Sequence, residues 1–216
     1  APWATYQRTI KSVELSEGIT SIGDFACYAF GIAEVTIPSS VQFVSGTAFQ
    51  CSSIENFNVA PGSQYLDTVN GVLYSKDHKE IIAYPYARKD TSYSILNGTE
   101  KIGPNVFEYK DDIKKVTIPD SVREIGSNAF SGAGITEIRI PKGVTVISRN
   151  LFHQCSSLTS VSLPSTLQKI ESGAFFWCRN LTQVEIPASV EEIGWNAFNR
   201  CTSLESIYVP ASVSHI

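Results

Sequence analysis

The stretch from Ile186 to Phe198 reads IPASVEEIGWNAF. Three earlier stretches repeat its wording: LPSTLQKIESGAF ending at Phe175, IPKGVTVISRNLF ending at Phe152 and IPDSVREIGSNAF ending at Phe130. Repetition at a fixed period constrains a fold more than local propensity does, because each unit must pack against copies of itself. One aliphatic position marks the units at Ile22, Val44, Ile102, Ile125, Ile147, Ile170, Ile193 and Ile216, in steps of 22 or 23 residues apart from one gap. A proline column (Pro38, Pro119, Pro141, Pro164, Pro187, Pro210) and a phenylalanine column (Phe49, Phe107, Phe130, Phe152, Phe175, Phe198) keep step with it. Cys155, Cys178 and Cys201 stand three residues after the phenylalanine, and Cys51 follows with a one-residue slip. In the first unit Cys27 takes the phenylalanine position, between Phe25 and Phe30.

The unit is L-x-x-V-x-I-P-x-x-V-x-x-I-G-x-x-A-F-x-x-C. Its V-x-I pair alternates like a short strand with one buried face. Proline cannot donate to a ladder and ends that strand. The A-F segment reads as a helical or 3₁₀ turn that plugs the core with an aromatic ring. One coil cannot bury these side chains, but stacked coils can. A period of 20–29 residues with L-x-x-L-x-L character is a leucine-rich-repeat signature. The expected fold is α/β leaning to β-rich: a right-handed leucine-rich-repeat solenoid of about nine coils with one β-hairpin insertion. The narrower wording I-P…V-x-x-I-G-x-x-A-F-x-x-C closely resembles the BspA-like, or treponemal-type, leucine-rich repeats of bacterial surface proteins, over nearly the whole chain. That resemblance implies a curved solenoid, an extracellular or cell-surface setting, and binding rather than catalysis. It brings no shared catalytic motif, and it includes adhesins for host matrix proteins.

The spacing divides a single repeat domain, residues 1–216, into four parts: an N-terminal cap at 1–9, repeats at 10–61, an irregular hairpin-containing repeat at 62–95, and repeats at 96–216. Trp3 and Tyr6 are expected to cover the open end of the first coil. The chain has no methionine and its last residues, VPASVSHI, open a repeat and stop, so a piece cut mid-repeat from something longer is expected. In the irregular part, Gly71–Tyr74 and Glu80–Tyr84 read as strands, and the polar run from Ser75 to Lys79 as their turn. The similar G-V-L-Y…Y-P unit of BspA-like proteins extends the resemblance here.

A net charge of −4 argues against nucleic acid, which needs a concentrated basic face. No apolar run reaches the roughly 18 residues of a membrane span, so no membrane insertion is expected. His78, His153 and His215 are not spaced as metal ligands, and no H-E-x-x-H, G-x-S-x-G or phosphate loop occurs. No catalytic residue, cofactor or metal is therefore expected, and the protein is read as a non-enzyme and a monomer. The stacked cysteines would approach disulfide distance. Alanine and lysine take that position at Ala133 and Lys110, so small buried hydrophobes with free thiols are the preferred reading. The sequons at Asn97 and Asn180 carry no expectation in a bacterial protein.

Recognition is left to the x positions. The middle residues of the V-x-I strands, Glu14, Thr36, Asn58, Thr117, Arg139, Ser162, Glu185 and Tyr208, should form one exposed ladder. Phe176, Trp177 and Trp195 stand where other coils carry Ser131, Gly132 and Ser127, which suggests an aromatic patch on the turn side. The irregular segment gathers Tyr65, Tyr74, Tyr84, Tyr86 and Tyr93 beside Lys76, Asp77, Lys79, Arg88 and Lys89. Against these stand plain alternatives: tyrosines packing the hairpin, and rings touching neighbouring coils. The main expectation is a non-catalytic module that recognises protein, host extracellular matrix or a cell-surface protein being the candidate partner. Glycan recognition, with Trp177, Trp195 and the hairpin tyrosines stacking on sugar, is the runner-up. A passive stalk presenting other domains is the third reading.

Overall fold

The computed structural model describes residues 9–216, so the cap residues Trp3 and Tyr6 lie outside the described part. Among the described residues there is no α-helix; the chain is a β-rich solenoid of about eight turns. The helical share of the expected α/β class is absent because the turn around each phenylalanine never closes a helix. In the coils after residue 100 its backbone enters the left-handed region twice, as at Asn128 (φ 57°) and Gly132 (φ 64°), and again at Asn150 (55°) and Gln154 (58°). Tight turns fill the segment instead, with Ser131 N donating to Asn128 O at 2.9 Å and Ala133 N to Phe130 O at 2.9 Å. Asparagine recurs at the first of these positions because its short polar side chain tolerates the left-handed region better than other L-residues do.

The chain forms two compact units, Ala1–Lys89 and Asp90–Ile216. In the first, Glu34–Ile37 pairs in parallel with Asn56–Val59, Val35 opposite Phe57. In the second, Lys115–Thr117 pairs with Ser92–Ser94, and Glu137–Arg139 with Ser160–Ser162, each one repeat away. A second parallel ladder joins Val146–Ile147, Lys169–Ile170 and Glu192–Ile193. The prolines do more than end strands. Each carbonyl accepts from the amide three residues on, as Val122 to Pro119, Val144 to Pro141 and Leu167 to Pro164 at 3.0–3.1 Å, which closes the turn between the two ladders.

The columns of the repeat face inward except in the last coil, where Ile207, Val209 and Ile216 are exposed. In the second unit Ile138, Ile140, Val144, Ile147, Leu151 and Phe152 are buried along one coil. The phenylalanines stack coil on coil: Phe107–Phe130, Phe130–Phe152, Phe152–Phe175 and Phe175–Phe198 have centroids 5.2, 5.7, 5.3 and 5.1 Å apart. The I-G pair has a steric cause in the second unit: a Cβ on Gly126 would lie 2.5 Å from the backbone nitrogen of Pro104, and one on Gly194 closer still to that of Ser172.

The irregular segment is a three-stranded antiparallel meander. Val72–Ser75 pairs with Glu80–Ala83 near the positions expected from sequence, and Leu66–Val69 adds a strand on the other side. The joint between Val69 and Val72 is Asn70-Gly71, both at positive φ (51° and 75°). This is the primed two-residue turn that Asn-Gly favours, a signal present in the sequence.

Candidate functional site

The thiol column is structural. All five cysteines are free. Cys155, Cys178 and Cys201 are buried, and each Sγ–H donates to the phenylalanine carbonyl of the preceding coil, to Phe130, Phe152 and Phe175 at 2.9, 3.0 and 3.1 Å. Burial pushes the Cys155 thiol up to about 12 and the Cys201 thiol up to about 11. Cys178 rises further, from burial and from Cys155 and Cys201 on either side. These groups are thiols and not thiolates at neutral pH, which is opposite to what a nucleophile requires. Lys110, in the same column, is also buried. Among the described residues no group of three His, Cys, Asp or Glu is placed to hold a metal ion.

The hairpin offers less than its composition suggested. Tyr74 is fully buried and Tyr84 nearly so, with relative exposures of 0% and 5%, so both belong to the core and leave the set of surface candidates. Tyr74 meets His78 edge to face, and the Arg88 guanidinium lies over the Tyr84 ring. Tyr86 is half-buried, while Tyr65, Lys76 and Lys79 are exposed. Asp67 gathers Lys76 at 3.9 Å and His78 at 3.2 Å. Burial would raise the Asp67 carboxyl, but the Thr68 amide, His78 and Lys76 together bring it below its ordinary value. Asp77 is likewise held low by the Lys79 amide and the Ser75 hydroxyl.

The ladder positions are open in each unit: Glu14, Thr36 and Asn58 in the first, and Thr117, Arg139, Ser162, Glu185 and Tyr208 in the second, are all exposed. Thr36, Thr117 and Arg139 owe this to strand alternation, each lying between two buried neighbours, whereas Ile207 and Val209 beside Tyr208 are themselves exposed. In the second unit this face forms a groove of about 1150 Å³ lined by Thr117, Arg139, Ser162 and Glu185 together with Lys115, Glu137, Ser160 and Gln183. A further hollow of about 670 Å³ includes Glu185 and Tyr208. In the first unit a smaller groove of about 380 Å³ lies on Glu14, Thr36 and Asn58. Hydroxyls, one amide and mixed charges line the larger groove. Arg139 donates to Asp120 at 2.6 Å, and that bond, first, holds the Asp120 carboxyl below its usual range. Sequence reasoning found the ladder residues but not the groove, whose walls include the turn residues Ser165, Pro187 and Ser189.

On the turn side, Trp177 is half-buried and Trp195 is 78% exposed. Phe176 stacks on His153 at 5.4 Å and on Trp177 at 5.8 Å, and the Arg179 guanidinium lies 5.0 Å from the Trp177 centroid. Burial lowers the His153 pKa. Trp177 and Arg200 hold the second left-handed position of their coils, at φ 65° and 66°. Glycine fills it one time, at Gly132, and a bulky residue there costs about 1–2 kcal/mol.

The BspA type leucine-rich repeat region matches this chain in six copies, over residues 4–82 and 100–216. A leucine-rich repeat protein from Eubacterium ventriosum has the same fold with a TM-score of 0.80 and 26% identity, over 94% of this chain and 62% of its own. A leucine rich cell surface protein from Faecalibacterium prausnitzii follows at 0.79 and 27%, over 88% and 57%. The pneumococcal vaccine antigen PcpA shares the fold alone, at 20% identity and a TM-score of 0.67, over 91% of this chain and 60% of its own. The chain thus spans about three-fifths of the length of these solved structures. No match is found among curated proteins. With its columns, hairpin and coil stacking in place, the chain belongs to the BspA-type leucine-rich-repeat family.

Proposed function

We propose that this chain is a non-catalytic recognition module of a bacterial surface protein, and that it binds protein along the strand ladder of residues 90–216. The family is one of repeat-built interaction proteins with surface-exposed members, and that supports the general reading. The groove over Thr117, Arg139, Ser162 and Glu185 carries the specific one. Coils repeat at about 4.8 Å, so hydroxyls, amide and charges stand at regular intervals along it. Such a surface suits an extended or sheet-like protein partner with its own alternating polar groups. Charges of both signs would set register and exclude wrong partners. Host extracellular matrix protein is the partner class we assign.

The test is binding of the whole chain to a panel of immobilised matrix proteins, beside a variant carrying Arg139→Glu and Glu185→Lys. Loss of about tenfold or more in affinity is expected, since reversing central charges opposes a complementary partner. An unchanged affinity in the ladder variant, with loss on replacing Lys76 to Lys79, would move the site to the hairpin.

A further inference from the structure

We propose that the turn face between Asn150 and Cys201 is a second binding site, separate from the ladder, for an oligosaccharide bearing uronic-acid carboxylates. The turn segments 150–155, 172–179 and 195–201 contain no aspartate or glutamate, yet they hold His153, Arg179 and Arg200 in a chain of net charge −4. Neither arginine belongs to any ion pair among the described residues. Backbone hydrogen bonds fix how these segments align. Gln154 N donates to Phe176 O at 2.7 Å, and Trp177 N donates to Asn199 O at 2.9 Å. Gln154, Trp177 and Arg200 therefore stand in one column at about the 4.8 Å spacing of adjacent strands. The Arg179 guanidinium, over the Trp177 ring, places a cation beside an aromatic surface.

Side chains other than glycine are the rule in this column: Tyr109, Gln154, Trp177 and Arg200 hold its left-handed φ at 53°, 58°, 65° and 66°, beside Gly132 at 64°. The site is distinguished by which side chains stand there, and the ligand chemistry follows from that set. An aromatic ring takes the C–H face of a pyranose, a guanidinium takes a carboxylate in a two-pronged hydrogen bond, and the Gln154 amide can both donate to and accept from sugar hydroxyls. An acidic peptide would need the cations but neither the ring nor the amide.

A hyaluronan octasaccharide is the probe, titrated into the whole chain by calorimetry and by tryptophan fluorescence. Binding is expected. It should weaken by about tenfold or more in Trp177→Gly, a change that the backbone there tolerates, with no fall in melting temperature. Arg179→Ala combined with Arg200→Ala should have an effect of similar size, and uncharged maltooctaose should bind at least about tenfold more weakly than hyaluronan. The variant carrying Arg139→Glu and Glu185→Lys should bind the octasaccharide as the parent does. The proposal is overturned by no binding at millimolar sugar, or by equal binding of maltooctaose. Loss of binding in the ladder variant, or full binding by Trp177→Gly, would also overturn it. Octaglutamate bound as tightly as the sugar and indifferent to Trp177→Gly would mean an acidic-peptide site instead.

Discussion

At the scale of single residues, the phenylalanine and cysteine columns answer different questions. Phe152 has no exposed surface and stacks on Phe130 and Phe175, so its neighbours are held by their own coils and cannot collapse into a gap. Phe152→Ala should cost about 3–5 kcal/mol in reversible denaturation. A loss under roughly 1 kcal/mol would contradict the stack. The cysteines act through pH. Their ordinary pKa is 9.0, and burial raises Cys155 to about 12 and Cys201 to about 11. Between those values the unfolded chain loses protons that the folded chain keeps, so stability is fully present below pH 9 and declines as pH rises toward 12. Replacing Cys155, Cys178 and Cys201 with alanine, the residue at Ala133, should flatten that alkaline decline in a pH series of denaturation midpoints. An equally steep decline would place its cause elsewhere. Asn128 makes a third case. Asn128→Gly should lie within about 0.5 kcal/mol of the parent, whereas Asn128→Val should lose about 1–2 kcal/mol, because the left-handed region penalises a branched Cβ. Equal stabilities would mean that φ at this position relaxes freely.

At the scale of elements, the hairpin shows what a sequence discloses and what it hides. The Val72–Ser75 and Glu80–Ala83 strands were legible from alternation and a charged turn. The Leu66–Val69 strand was legible too, through Asn70-Gly71, but the pull of the repeat period hid it. The columns were readable because each recurs and touches its own kind one coil away. Tyr74 was not, because composition counts tyrosines without saying which face of a strand they occupy, and Tyr74 faces inward. The left-handed asparagines had a signal in the repeated N before A-F, which was read as a variable position. The groove had none, since its walls depend on the distance between strand and turn residues of different coils. The hairpin turn itself contributes little to stability. Lys76 and His78 pair with Asp67 while half exposed, and such pairs are worth about 0–1 kcal/mol each. Replacing residues 76–79 with a Gly-Ser turn should lower stability by no more than about 2 kcal/mol. A larger fall would mean that the turn holds the meander together.

At the scale of the whole molecule, a stack of coils couples nearest neighbours more strongly than distant ones. Each coil of the second unit buries its side chains against the next, through Phe130, Phe152 and Phe175, and its strands pair one repeat away, as Glu137–Arg139 with Ser160–Ser162. In the first unit, Phe57 and Phe49 meet edge to face at 5.3 Å, and Glu34–Ile37 pairs with Asn56–Val59, within a core of its own. A cavity at position 152 should therefore open its surroundings without loosening the whole chain. In native-state hydrogen exchange, Phe152→Ala should lower the protection of Ile138, Ile140 and Val161. The amides of Val35 and Phe57 should exchange as in the parent. The physical reason is that a local opening has to break only the contacts between adjacent coils, so its free energy reports those contacts and not the global stability. Equal loss of protection at all five amides would show instead that the chain opens as one cooperative body, and that the nearest-neighbour description fails for it.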